Sequence, residues 1–138
     1  MHDLERLSDL IIEFYEKLSS WEQAVVRDCA ITLPQMHTLE ILGQQSPLRM
    51  KELAAKMGVT TGTLTVGVDR LEKQGLVARI PHNTDRRSIL VTLTGAGREL
   101  YLEHHAHHLH LTRELHAVLT PEETGQLHAI LPKLIQAI

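Results

Sequence analysis

Ten of the 138 residues are histidine, and five of them, His104, His105, His107, His108 and His110, fall within seven positions. On a helix, the four-residue step from His104 to His108 sets both imidazoles on one face, close enough to share a metal ion. Zn²⁺ normally takes four nitrogen, sulfur or carboxylate ligands, so two more must come from another segment. The competing reading is a histidine-rich, solvent-facing helix that binds nothing specific. The single cysteine, Cys29, cannot close an internal disulfide and is a buried thiol, a redox sensor or a metal ligand. Arg27 is near enough to favour a thiolate, but Asp28 opposes it.

A second set of residues suits contact with a polyanion. Thr60, Thr61, Thr63 and Thr65 give the start of one segment short hydroxyl side chains. Such side chains reach base edges and phosphates in the DNA major groove without holding a helix away, and their methyls can pack on thymine. Arg70 belongs to the same DNA-facing set. Further on, the run from Pro81 to Arg87 is polar and basic. An arginine at such a loop tip can enter the minor groove; Arg87 is the candidate, with Asp85 placed to hold its guanidinium extended and Arg86 to face a phosphate. The alternative is a solvated surface ion pair worth under about 1 kcal/mol. From Arg49 to Arg98 there are nine Lys/Arg against four Asp/Glu, a local balance of +5 within a chain of net charge −3. A basic middle between acidic arms is the asymmetry expected when one segment meets nucleic acid.

These residues need elements to position them. Leu4, Leu7, Leu10, Ile11, Phe14, Leu18, Trp21 and Val25 recur at helical steps and predict a long amphipathic first helix. Pro34 suits the first turn of a second helix carrying Met36, Leu39, Ile41 and Leu42, with Gly43 as its expected end and Ser46-Pro47-Leu48 as a turn. Met50, Leu53, Ala54 and Met57 mark a short helix stopped by Gly58, and Thr60 or Thr61 caps the next, which runs to Gln74 and Gly75. Two short helices joined by a tight turn form a helix-turn-helix. Within the second, Gly62 and Gly67 each cost about 1 kcal/mol relative to alanine and are expected to permit close approach of a neighbouring helix or of DNA. The β-prone runs 76–80 and 88–93 flank the basic loop as a hairpin. Thr94 caps a long helix reaching Glu114, and Thr120-Pro121-Glu122-Glu123 opens a last one.

The run "TLTVGVDRLEKQGLV" from Thr63, followed by "DRRS" from Asp85 and "VTLTGAG" from Val91, closely resembles the MarR family of regulators. The resemblance implies a mainly α fold with a small β-hairpin wing, a single domain over 1–138. Residues 34–94 would form the winged helix-turn-helix, and 1–33 with 95–138 the helical dimerisation region. It implies a homodimer acting on transcription, more as repressor than activator, at a pseudo-palindromic double-stranded DNA operator. The two recognition helices would then lie about 34 Å apart to meet successive major grooves.

A zinc-responsive branch of the family has a histidine after a glutamine, as in Gln35-Met36-His37, and a Glu-His pair with a histidine four later, as in Glu103, His104 and His108. The resemblance thus implies Zn²⁺ as effector, held by Glu22, His37, His104 and His108. A secondary site would use Cys29 and Glu103, although Met36 stands where a further glutamate is expected. The alternatives are a regulator answering a small organic anion or oxidation of Cys29, and a metal-dependent hydrolase. No HExxH, Cys-x-x-Cys, phosphate loop or nucleophile elbow occurs, which argues against an enzyme. Apolar runs fall far short of the roughly 20 residues of a membrane span, and the acidic start Met1-His2-Asp3-Leu4-Glu5 lacks a secretion signal, so a cytoplasmic protein is expected.

Overall fold

The computed structural model describes residues 2–82, 84 and 88–138. Six helices and three strands follow in the order α1 (His2–Val26), α2 (Leu33–Gln44), β1 (Leu48–Arg49), α3 (Met50–Met57), α4 (Thr61–Lys73), β2 (Val77–Pro81), β3 (Ile89–Leu93), α5 (Gly95–Ala117) and α6 (Pro121–Ala137). Packing divides the chain into two compact units, Met1–Glu103 and His104–Ile138.

The first unit holds the core. Val26 and Ile31 meet Met36, Leu39 and Leu42 of α2, Leu53 and Ala54 of α3, Leu64, Val68 and Leu71 of α4, and Leu48, Val77 and Val91 of the sheet. Burying each such aliphatic side chain contributes about 1.5–3 kcal/mol. The helix starts follow the expected chemistry. Thr32 caps α2 by accepting the Gln35 N–H at 3.3 Å, and Thr60 caps α4 by accepting the Thr63 N–H at 3.2 Å; such a cap is worth about 1 kcal/mol. Gly58 closes α3 in the left-handed region at φ 69°, where a side chain would be strained.

Three expectations change. Gly43 does not end α2, which continues to Gln44; a Cβ at Gly43 would stand 2.5 Å from the Tyr101 ring, so this glycine lets α5 pack closely rather than stopping a helix. Leu48 is not only part of a turn, because β1 pairs with β3 through Leu48↔Val91 and Arg49↔Leu90. The hairpin is therefore one side of a three-stranded antiparallel sheet ordered β1-β3-β2, with Val77↔Leu93 and Pro81↔Ile89 at the ends of the second ladder. Thr94 then joins hairpin to helix: its hydroxyl donates to the Gly75 carbonyl at 2.6 Å and accepts the Gly97 N–H at 3.1 Å. Finally, α5 runs three residues past Glu114.

The apolar faces of the terminal helices are open. Only Val26 of α1 is buried, while Leu4, Leu7, Leu10, Ile11 and Phe14 are exposed. No residue of α6 is buried, and Leu127, Ile130, Leu131, Leu134 and Ile135 face solvent. No helix is long and apolar enough to cross a membrane among the described residues.

Candidate nucleic-acid interface and candidate metal donors

Leu64, Val68 and Leu71 anchor α4 in the core, which turns the rest of that helix outward. Thr60, Thr61, Thr63, Thr65 and Arg70, all singled out from the sequence, are exposed. Their hydroxyls are not equivalent. Thr65 donates to the Thr61 carbonyl at 2.7 Å, which leaves its oxygen as an acceptor and its methyl as an apolar contact. Thr60 donates to the Thr63 hydroxyl at 3.1 Å while accepting the Thr63 N–H, so the Thr63 O–H is the donor available to a phosphate. At about 100° per residue, Gly62, Val66 and Lys73 occupy the middle of the outward face. Val66 is 53% exposed, an apolar side chain that periodicity alone assigned no role.

No atom approaches within 4 Å of a Cβ built at Gly67, and at Gly62 only the Thr60 hydroxyl does, at 3.9 Å. Among the described residues no neighbouring helix packs against either glycine, which leaves open space above this face of α4.

Two exposed carboxylates on α4, Asp69 and Glu72, would repel a polyanion if left alone. Arg79 of β2 takes both: Nη2 bonds Asp69 Oδ1 at 2.7 Å and Nη1 bonds Glu72 Oε1 at 2.9 Å, while the Arg79 backbone N–H reaches Glu72 Oε2 at 3.3 Å. Partial burial lowers the guanidinium pKa, but the bonds and charges of Asp69 and Glu72 outweigh it and raise the value above the ordinary one. Arg79 thus ties the wing to α4 and neutralises the acids of that helix. It was not found from the sequence, because an isolated arginine in a strand carries no motif.

A further cationic group lies toward the loop end of the hairpin. Arg49 Nη2 stands 3.3 Å from His82 Nε2, and His82 Nδ1 meets the Thr84 N–H at 3.2 Å. Asp85, Arg86 and Arg87 lie outside the described residues.

The proposed metal donors divide between the two units. In the first, Glu22 Oε2 of α1 accepts from His37 Nε2 of α2 at 2.8 Å. A carboxylate oxygen of Glu40 lies within 4.8 Å of one of Glu22, a donor the sequence reading missed because nothing in its local pattern distinguishes it. In the second, the His104 and His108 Nε2 atoms are 3.1 Å apart, with ring centroids at 4.8 Å. Two nitrogens bound to one Zn²⁺ at about 2.05 Å and an angle near 100° are separated by about 3.1 Å, so this pair has the bite of a chelate. His104 is buried and His108 half-buried, unlike the exposed His107 and His110. Cys29 sits in the turn after α1 rather than within that helix, half-buried, with its thiol 3.9 Å from the Val25 carbonyl. Glu103 is exposed on α5.

Comparison with known proteins agrees with this architecture. The MarR family model matches residues 31–89, from the start of α2 into β3. The HTH-type transcriptional regulator YfiV of Bacillus subtilis is 35% identical over 109 residues, 78% of this chain and 68% of its own. The HTH-type transcriptional repressor MdtR of the same organism is 34% identical over 107 residues, 78% and 69% of the two chains. The crystal structure of the Staphylococcus aureus MepR–DNA complex superposes with a TM-score of 0.76 at 25% identity, covering 95% of this chain and 96% of that one. Similarity to such regulators over most of both chains, joined to a helix-turn-helix with a three-stranded wing, places this chain in the MarR family.

Proposed function

We propose that this chain is a DNA-binding transcriptional repressor that works as a homodimer, each copy setting α4 in the major groove and the hairpin tip in the adjacent minor groove of one operator. The observation that carries this reading is the outward face of α4, where hydroxyls, Val66 and two glycines with open space around them stand beside acids already neutralised by Arg79. A helix evolved only for packing has no need of such a face. The MepR–DNA complex and the repressor name of MdtR support the same reading. The dimer rests on the open apolar faces of α1 and α6, which a second copy would cover.

We further propose Zn²⁺ as the effector, drawn to His104 and His108 together with Glu22 and His37, as the resemblance implies. Glu40, with a carboxylate oxygen within 4.8 Å of one of Glu22, is a further donor. Bound zinc supplies a fixed link among side chains, and by linkage operator DNA must raise zinc affinity by the factor with which zinc raises DNA affinity. A second reading has a specific observation behind it. An open groove of about 420 Å³ lined by Ile41, Gln44, Gln45 and Lys56 joins one cation and two amides beside one aliphatic side chain, which suits a small organic anion.

Val66→Glu tests the DNA reading. A carboxylate in the middle of the α4 face should abolish retention of operator fragments selected from genomic DNA while leaving the melting curve unchanged. Retention equal to the parent's would refute the assignment of α4.

A further inference from the structure

We infer that the outward face of α5 carries its own divalent transition-metal site, built from His107, His110 and Glu114 and distinct from the inward pair His104 and His108. His110 Nε2 lies 3.1 Å from Glu114 Oε1, and both side chains are mostly exposed, at 72% and 64%. Zn²⁺ bound to an imidazole nitrogen at about 2.05 Å and a carboxylate oxygen at about 2.1 Å, with an angle near 100°, separates those atoms by about 3.2 Å. The pair therefore already stands at the spacing that a shared ion requires. Glu114 is four residues after His110, and helical side chains lean toward the N-terminus, so its carboxylate reaches back over the imidazole without strain.

In the structure His107 does not stand with that pair, and a turn of its side chain would complete the set. At about 100° per residue, positions 107, 110 and 114 fall within about 60° of arc, and His107 is exposed one turn before His110. Neighbours three apart on a helix have Cβ atoms about 5–6 Å apart, within reach of a common ion for two imidazoles. Two nitrogens and one oxygen suit borderline ions such as Zn²⁺ or Ni²⁺, with water in the remaining positions. The inward pair points about 100° further round the helix, and the burial of His104 against the exposure of His107 and His110 marks the two faces as separate.

The test is a titration of the intact, metal-free protein with Zn²⁺ alone at neutral pH, for the parent, H107A/H110A, E114Q and H108A. H107A/H110A should bind one zinc per chain fewer than the parent, E114Q should weaken that same equivalent about tenfold, and H108A should keep it. All three changed positions of the outward site are exposed, and helicity followed by circular dichroism should match the parent. E114Q alters a charge without altering volume and gives an answer independent of the double variant. If the H107A/H110A and E114Q titrations overlay the parent's, or if H108A removes the same equivalent that H107A/H110A removes, the outward site does not exist.

Discussion

Removing Arg79 should weaken operator binding although the residue need not touch DNA. Its guanidinium holds Asp69 at 2.7 Å and Glu72 at 2.9 Å, both on the helix proposed to enter the major groove. Arg79→Ala frees two carboxylates. For a carboxylate about 7 Å from a phosphate in a water-like dielectric, repulsion is about 0.6 kcal/mol. Two per half-site and two half-sites give about 2.4 kcal/mol, a loss of about 50-fold in affinity at low salt, shrinking as ionic strength rises. The effect on folding should be smaller, because two partly exposed ion pairs are worth about 0.2–1 kcal/mol each. Fluorescence anisotropy with an operator duplex at several salt concentrations reads the first, and a denaturant melt reads the second. The triple variant R79A/D69N/E72Q supplies the control: with no carboxylates left to repel phosphate, it should recover most of the affinity. Parent-like binding by R79A, or a triple variant as weak as R79A, would refute neutralisation as the role of this residue.

Other perturbations address other parts of the account. Arg87→Ala should weaken binding to all sequences and reduce the slope of log affinity against log salt by about 0.9 per lost phosphate contact; an unchanged slope and affinity would remove the hairpin tip from the interface. His108→Ala should lower zinc affinity while the chain stays folded; zinc titrations of variant and parent that overlay would end the inward-pair proposal. Alkylating Cys29 should leave operator binding nearly intact, whereas loss of binding would make the thiol the sensor.

Much of this fold was legible because its signals are local. Thr60 and Thr120 cap the helices they precede, and Gly58 and Gly75 adopt positive φ at the turns they punctuate, whereas the Thr32 cap of α2 was not read. What escaped was non-local. A two-residue strand at Leu48 exists only because Val91 lies beside it, and Gly43 reads as a stop until the Tyr101 ring is seen against it. The same holds for the interface. Threonines clustered at a helix start announce themselves, but Arg79 acquires its role from carboxylates seven and ten residues away. The apolar stripe of α1 was visible as periodicity, yet periodicity does not say whether that face meets its own chain; the exposure of Leu4 and Leu7 answers that.

The most direct test of a paired reader of DNA is the mass of the complex on a selected operator duplex, combined with hydroxyl-radical footprinting. The account predicts two chains per duplex and two protected half-sites about 10–10.5 base pairs apart, centre to centre, or a multiple of that spacing. One chain per duplex with a single protected patch, or no protection of any selected fragment, would contradict it.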